Sequence, residues 1–398
     1  MFRHLLKLIW KRKGRNLMLS LEILLAFVIL FAIAAFGLRS LQLYRLPTGF
    51  VGDDVWAVSI NGSGEWGTKL PAGTYDNFKR GLLAMPGARA VAFANSAPFS
   101  DSNARTSYQA EGGRTVRTEI IECGDDFFTL LGIRLETGRA FNASDDGAAQ
   151  TPVVINRRLA LDMFGSTDVI GRQFDATEPG ATRRSTKRVV GLIDDYRKKG
   201  EFGTPGNVTI ARHSPSEDEG IRTILIKMAP GTPRSFEETL NRHLKSINNT
   251  WSYSITPLSA LRTSAMQGTV TPLIIFSVIA TFLLLMVAFG LFGVLWQNTT
   301  RRIPEIGLRR AIGASAGDIY RQIIAEQFLL SSVAMLVAML LLVQLPITGA
   351  LGELLNWQVF LGAAAVSMAA IYLLSLLCSV YPGWRASRLS PTQALHYE

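Results

Sequence analysis

The sequence has 398 residues, of which 48% are hydrophobic and only 18% are charged. A soluble domain usually carries about 25% charged residues, so a large part of this chain must lack charge. The apolar content excludes a disordered protein and the two cysteines exclude a disulfide scaffold, whereas the net charge of +10 is compatible with nucleic acid, an acidic partner or a membrane.

Residues 1–16 form a basic segment with apolar side chains at helical spacing. The lysines and arginines occupy the positions between them, so the segment has one apolar and one charged side. This pattern predicts an amphipathic helix that lies on the cytoplasmic membrane surface and contacts membrane lipid. The apolar residues are Phe2, Leu5, Leu6, Ile9 and Trp10.

Four apolar stretches follow, each close to the roughly 20 residues that a helix needs to cross the hydrocarbon of a bilayer. The chain is therefore predicted to be an α-helical membrane protein with four transmembrane helices, one before and three after a long polar segment. The predicted spans are residues 17–38, 272–296, 328–345 and 359–380.

Glu22 is the only charged residue inside these four stretches. An ionisable side chain within a membrane span is a candidate functional site by default. The alternative is that Glu22 reaches back to the interface or pairs with Arg15. A cleaved signal peptide is a second alternative for this region, since Ala32 and Ala34 form an A-x-A pattern.

The positions of the basic residues predict the orientation of the spans. Lysine and arginine are concentrated in residues 1–16, 297–327 and 381–398, whereas residues 346–358 contain Glu353 and no basic residue. Short loops rich in lysine and arginine stay in the cytoplasm. Both termini and the loop 297–327 are therefore predicted to be cytoplasmic, and the basic excess indicates topology and not nucleic-acid binding.

The segment 39–271 is predicted to be an α+β domain outside the cytoplasm. Near each of its ends the residues read as strand, helix and strand, with Pro86 and Pro233 marking helix boundaries. Strand-like stretches also fill residues 100–215. We therefore expect two β-α-β halves with a subdomain inserted between them at about 100–215.

The loop 297–327 contains a second predicted site. Pro304 favours a helix start, and Glu305 and Arg309 are spaced to form an i, i+4 ion pair. Physical reasoning alone leaves two interpretations, a solvated basic loop or a surface that docks on a partner. The candidate coupling residues are Arg301, Arg302, Ile303, Glu305, Ile306, Gly307, Arg309, Arg310, Ala311 and Gly313.

Five stretches resemble a known family. Residues 123–139, 151–174 and 188–200 resemble the periplasmic core domain of MacB-type ABC permeases. Residues 301–325, RRIPEIGLRRAIGASAGDIYRQIIA, and the tail 381–398 resemble the FtsX-like permease domain. Pro304 is a mild departure, because the family more often has a polar residue at this position.

The resemblance implies a permease that pairs with a second protomer, identical or different, in the bacterial inner membrane. Its loop 297–327 would dock on ABC ATPase subunits that carry ATP and Mg²⁺, and closure of the ATPase pair would be passed through the membrane helices to the outer domain. The size of that domain favours efflux of a drug, peptide or other small molecule, with a periplasmic adaptor and an outer-membrane channel as further partners. Signalling to a periplasmic sensor or hydrolase, and lipoprotein extraction, are the alternatives.

No catalytic, metal-binding or cofactor site is expected on the chain. The phosphate-binding motif G-x-x-x-x-G-K-[ST] requires adjacent glycine and lysine, and that pair does not occur in the sequence. The four histidines are scattered and lack metal-ligand spacing. We therefore expect a non-catalytic permease subunit whose ATPase is a separate chain.

Overall fold

The computed structural model describes residues 13–61, 73–102, 104–110, 113–176, 185–213 and 221–388. Residues 1–12 of the predicted surface helix and residues 389–398 of the tail lie outside this description. The chain divides into two compact units. The helical unit is Met1–Gln42 with Val270–Glu398, and the α+β unit is Leu43–Thr269.

Ten α-helices occur in the described residues, and they are numbered here in chain order. They are α1 (Lys13–Tyr44), α2 (Thr74–Leu83), α3 (Phe127–Leu130), α4 (Arg157–Phe164), α5 (Phe236–Ile247), α6 (Leu258–Arg301), α7 (Ile303–Ala311), α8 (Ala316–Leu342), α9 (Gln344–Thr348) and α10 (Trp357–Ser387).

Eleven strands occur in the same residues. They are β1 (Val55–Asn61), β2 (Ala88–Ala94), β3 (Arg105–Gln109), β4 (Thr115–Cys123), β5 (Leu135–Gly138), β6 (Thr151–Asn156), β7 (Gln173–Ala176), β8 (Ser185–Ile193), β9 (Val208–Arg212), β10 (Thr223–Met228) and β11 (Ser252–Pro257).

Four helices are long and apolar enough to cross a membrane, and the α+β unit lies between the first and the second of them. These helices extend beyond the predicted spans. The second begins at Leu258, so Pro272 lies inside a helix of 44 residues. Apolar runs mark the part of a helix that suits hydrocarbon, whereas the polar turns of the same helix carry no such signal. Residues 258–271 belong to this helix, but they are too polar to be predicted as part of a membrane span.

The helical unit combines apolar packing with buried hydroxyl groups. Phe31 of α1 meets Phe360 of α10 edge to face, with ring centroids 5.3 Å apart. Between α8 and α10, the hydroxyls of Ser331 and Ser375 are 2.9 Å apart. Small residues let membrane helices approach closely, and hydrogen bonds between their side chains add stability where no water competes.

The first section of the α+β unit is a four-stranded antiparallel sheet in the order β11-β1-β10-β2. The two predicted β-α-β segments supply it, and their strands alternate as in the ferredoxin-like arrangement. Both helices bury residues at i, i+4 spacing against the core that includes this sheet, Phe78 and Leu82 from α2 and Leu240 and Leu244 from α5.

The second section is a closed ring of strands, which the sequence did not predict. It follows the order β4-β3-β7-β8-β6-β9, and β9 returns to pair in parallel with β4. The ring joins the four-stranded sheet where Ala94 of β2 pairs with Cys123 of β4. Closing the ring removes strand edges that would otherwise expose unpaired N–H and C=O groups.

Candidate functional site

The short helix α7 connects two of the membrane-type helices and contains most of the predicted coupling residues. Pro304 is one of the first two residues of this helix. The chain then turns at Gly313, whose φ of 106° favours glycine. The next helix starts with a capping box, in which the Ser315 hydroxyl accepts from the Asp318 amide at 3.2 Å and the Asp318 carboxylate accepts from the Ser315 amide at 3.1 Å.

One side of α7 is buried within the helical unit. Ile303 is 7% exposed, Ile306 is 6% exposed, and Gly307 is also buried. Ile306 packs in a cluster with Ile319 of α8 and Ala386 of α10. These three predicted coupling residues therefore lie on the buried side of α7 and do not form its exposed surface.

Two polar contacts connect α7 and the residue before it to α8. Arg302 pairs with Glu326 at 2.6 Å, and both side chains are largely buried. Arg309 donates to Gln322 at 2.6 Å and also pairs with Glu305 at 2.6 Å, which is the i, i+4 pair predicted from the sequence. Polar contacts therefore connect this segment to α8, and an apolar cluster connects α7 to α10.

The opposite side of α7 exposes apolar residues that the sequence reasoning missed. Leu308 is 56% exposed and Ile312 is 79% exposed. Ile312 lines a cavity of about 300 Å³, and Arg309, Asp318 and Gln322 contribute to its walls. Helical spacing contained the signal, since positions 308 and 312 point away from 303 and 306 at 100° per residue.

The remaining predicted residues of this loop vary in exposure. Arg301, Ala311 and Gly313 are exposed, and Arg310 is half-buried. Together with Leu308 and Ile312 they give α7 a surface that combines apolar and basic character. Such a mixed surface is compatible with contact to a partner protein.

The side chain of Glu22, a residue of α1, lies next to Gly290 of α6. A Cβ atom added to Gly290 would come within 2.6 Å of Glu22 Oε1. The absence of a side chain at Gly290 therefore provides the space that the carboxylate occupies. Glu22 is not part of the α7 surface, and its role stays a separate question from docking.

A second candidate site lies in the α+β unit, in residues 194–206, which we call the stalk loop. Arg197 of this loop is 3% exposed. Burial lowers the pKa of Arg197, and the carboxylates of Asp195 and Glu201 oppose that shift. Its guanidinium donates to five backbone carbonyls, those of Leu43, Leu46, Pro47, Glu201 and Gly203.

These contacts fasten the end of α1. The last carbonyls of a helix lack partners within the helix, and a cation at that end also interacts favourably with the helix dipole. Arg197 supplies both the donors and the charge. The Arg197 amide adds a hydrogen bond of 2.8 Å to the carbonyl of Thr48.

The same loop also contacts the beginning of α6. Glu201 pairs with Arg262 at 2.6 Å, and the Glu201 side chain is mostly buried. Tyr44 at the end of α1 lies against Phe202, with ring centroids 5.9 Å apart. One loop of the α+β unit therefore holds the ends of both helices that continue into the helical unit.

The backbone at Gly49 packs closely against the stalk loop. It has a φ of 84°, and an added Cβ would lie 2.0 Å from the Asp195 carbonyl oxygen. Gly73 has a similar φ of 77°, but among the described residues no atom lies within 4 Å of the same position. We expect Gly73→Ala to cost about 1–2 kcal/mol from backbone strain alone, and Gly49→Ala to cost clearly more.

Thermal unfolding of the full chain in detergent measures this difference. Gly73→Ala is the matched control because it imposes the same strained φ without the clash. Equal losses of stability in the two variants would show that the close approach of residue 49 to the stalk loop is unimportant.

These features define a class of protein, a membrane protein with four membrane-type helices and a large α+β domain inserted after the first. Two family models match the chain. The MacB-like periplasmic core domain matches residues 17–242, and the FtsX-like permease C-terminal domain matches residues 277–391. The chain belongs to the MacB/FtsX-like ABC transporter permeases, as the sequence resemblance predicted.

Two curated relatives illustrate the similarity. An uncharacterized ABC transporter permease, YknZ of Bacillus subtilis, is 23% identical over 370 residues, which are 90% of this chain and 86% of YknZ. A macrolide export ATP-binding/permease protein, MacB of Agrobacterium fabrum, is 25% identical over 97% of this chain and 59% of that protein. The chain thus spans little more than half of this MacB, and 37% of the MacB of Neisseria gonorrhoeae.

A solved structure is similar to part of the chain. The periplasmic region of MacB from Actinobacillus actinomycetemcomitans is 14% identical, with a TM-score of 0.39, and the match covers 56% of this chain and 97% of that one.

Proposed function

We propose that the chain is the permease subunit of an ABC transporter in the bacterial inner membrane, with both termini in the cytoplasm. A separate ATPase chain binds ATP and Mg²⁺ and docks on α7. Its conformational change moves the membrane helices and, through them, the α+β domain on the periplasmic side. The transported molecule is a drug, a peptide or another small molecule.

The observation that carries this proposal is the construction of α7. Its inner side is fixed to α8 and α10, and its outer side exposes Leu308 and Ile312 next to basic residues. Two exposed apolar side chains next to basic residues, on a helix whose other side is buried, fit a surface that a partner protein covers. The geometry supports an element that receives a load from a partner and passes it to two helices.

The stalk loop supports the second half of the proposal. Helices α1 and α6 are continuous from the helical unit into the α+β unit, where the stalk loop holds an end of each. Movement of α1 against α6 would therefore act directly on the stalk loop. This arrangement suits a mechanism in which movement is transmitted along the helices. Such a mechanism does not require a pore within the four helices.

Relatives named as macrolide export proteins support export as the direction of transport. We propose a second protomer of the same family, a periplasmic adaptor and an outer-membrane channel as the remaining partners. Contact of residues 1–16 with membrane lipid belongs to the same proposal.

Mass spectrometry of the complex purified from its native membrane tests the proposal. We expect an ABC ATPase in amounts comparable to the chain itself, together with an adaptor protein. Purification with a cell-wall hydrolase or a histidine kinase, and with no ATPase, would overturn the transport proposal.

A further inference from the structure

A basic cavity lies on the α+β unit beside the stalk loop, and no part of the proposed transport mechanism uses it. It encloses about 240 Å³ between the hairpin of β3 and β4 and the stalk loop. Five basic residues line it, and Glu119 is the one acidic residue in the same lining. The basic residues are Arg105, Arg117, Arg197, Lys198 and Lys199.

Two of these basic side chains already have partners. Arg197 is occupied by backbone carbonyls, as described above. Lys198 is buried, donates to the carbonyl of Ser102 and lies 3.5 Å from Glu119. Burial lowers the pKa of Lys198, and Glu119 opposes that shift. Glu119 is therefore paired with the buried lysine.

Arg105, Arg117 and Lys199 are exposed, and in the described part of the chain none of them forms an ion pair. The strand register places Arg105 opposite Glu119, and Arg117 two residues earlier on the same face of β4. Arg105 and Arg117 therefore occupy diagonal positions of the hairpin, where long side chains can reach a common ligand.

We infer that this cavity binds a small anion that carries phosphate groups. Arginine guanidinium groups and a lysine ammonium converge there, and they match phosphate oxygens with charge-assisted hydrogen bonds. The volume is below the usual range for drug-sized ligands, so a compact anion fits it better than a transported drug or peptide.

Binding at this site also acts on the connection to the membrane helices. The wall of the cavity includes residues 196–199, 203, 204 and 206 of the stalk loop. That loop holds the end of α1 through Arg197 and the start of α6 through Glu201. An anion bound to Arg105, Arg117 and Lys199 joins the stalk loop to β3 and β4 and reduces its freedom to move.

Titration of the full chain with pyrophosphate tests the inference. The protein is held in nanodiscs of zwitterionic lipid and binding is followed by calorimetry. We expect saturable binding that weakens as salt is added. The double variant Arg105→Gln and Arg117→Gln should reduce the affinity by about tenfold or more, since it removes two charge-assisted contacts.

The control variant is Arg89→Gln with Arg134→Gln, which removes the same charge from exposed positions of the same unit away from the cavity. It should bind as the wild type does. Hydrogen exchange gives a second readout, because pyrophosphate should slow exchange in residues 194–206 of the wild type and of the control variant only. An equal loss of affinity in both double variants, or no saturable binding, would overturn the inference.

The same titration in nanodiscs that contain phosphatidylglycerol distinguishes two sources of the phosphate. A lipid headgroup that fills the cavity would lower the pyrophosphate affinity of the wild type and control, and a free phosphorylated anion would leave their affinity unchanged. Each result supports a phosphate site, and each assigns it to a different source.

Discussion

Replacing Ile312 with aspartate should abolish ATP-driven transport while leaving the chain folded and inserted. Ile312 is 79% exposed, so the substitution removes almost no internal packing. A partner ATPase that buries this residue would instead have to bury an unpaired carboxylate, which costs several kcal/mol. The measurement is the rate of ATP hydrolysis by the reconstituted complex with and without transported substrate. We expect stimulation to fall at least about tenfold, since 1.4 kcal/mol already corresponds to that factor.

Ile347→Asp is the matched control for this experiment. Ile347 is 68% exposed and lies in α9, beyond the opposite end of α8 from α7. The control should keep full stimulation. Wild-type coupling in Ile312→Asp, or equal losses in both variants, would show that α7 is not the docking surface.

The structure also shows which variant is uninformative. Reversing both charges of the pair Glu305 and Arg309 leaves an ion pair of the opposite direction on the same helix, although it removes the contact of Arg309 with Gln322. Such a double variant would test the internal support of α7 and the docking surface at the same time. Leu308 and Ile312 separate the two, because their side chains face outward.

Properties that depend on local sequence could be predicted from it. Four apolar helices, the short helix after Pro304 and the Glu305–Arg309 pair each depend on residues a few positions apart. The inner and outer sides of α7 were also encoded at this scale. Which side is buried depends on distant residues, since Ile306 packs against Ile319 and Ala386.

Contacts between distant segments could not be predicted. The closed ring depends on β4 and β9 pairing in parallel, and no local pattern indicates which strands become neighbours. Arg197 looked like one basic residue in a basic stretch, yet it contacts carbonyls about 150 positions earlier in the chain. A buried arginine that binds backbone carbonyls leaves no signature in the residue types that it contacts, since every residue has a carbonyl.

Replacing Arg197 with methionine should release the end of α1 from the stalk loop. Methionine keeps the length and apolar stem of the side chain but removes all donors to five carbonyls. A buried acceptor left without a partner costs about 1–3 kcal/mol. Because water can enter to satisfy some of the five, we expect a loss of about 3–5 kcal/mol in the stability of the α+β unit. Thermal unfolding of the full chain measures that loss.

The consequence for function should be loss of coupling between the membrane helices and the α+β unit. Amides of residues 43–51, including Val51, which bonds to the carbonyl of Leu131 at 2.7 Å, should exchange faster with solvent. Stimulation of the ATPase by docking should persist, whereas substrate export should fail. Arg197→Lys should have intermediate effects, since an ammonium keeps the charge but cannot donate to all five carbonyls at once.

Arg134→Met provides the matched control, because it makes the same substitution at an exposed position of the same unit. It should change neither stability nor exchange in residues 43–51. Export at the wild-type rate by a folded Arg197→Lys variant with accelerated exchange there would contradict a role of Arg197 in transmission. Such a result would leave the contact as a purely structural support, because the end of α1 would be loose while transport continued.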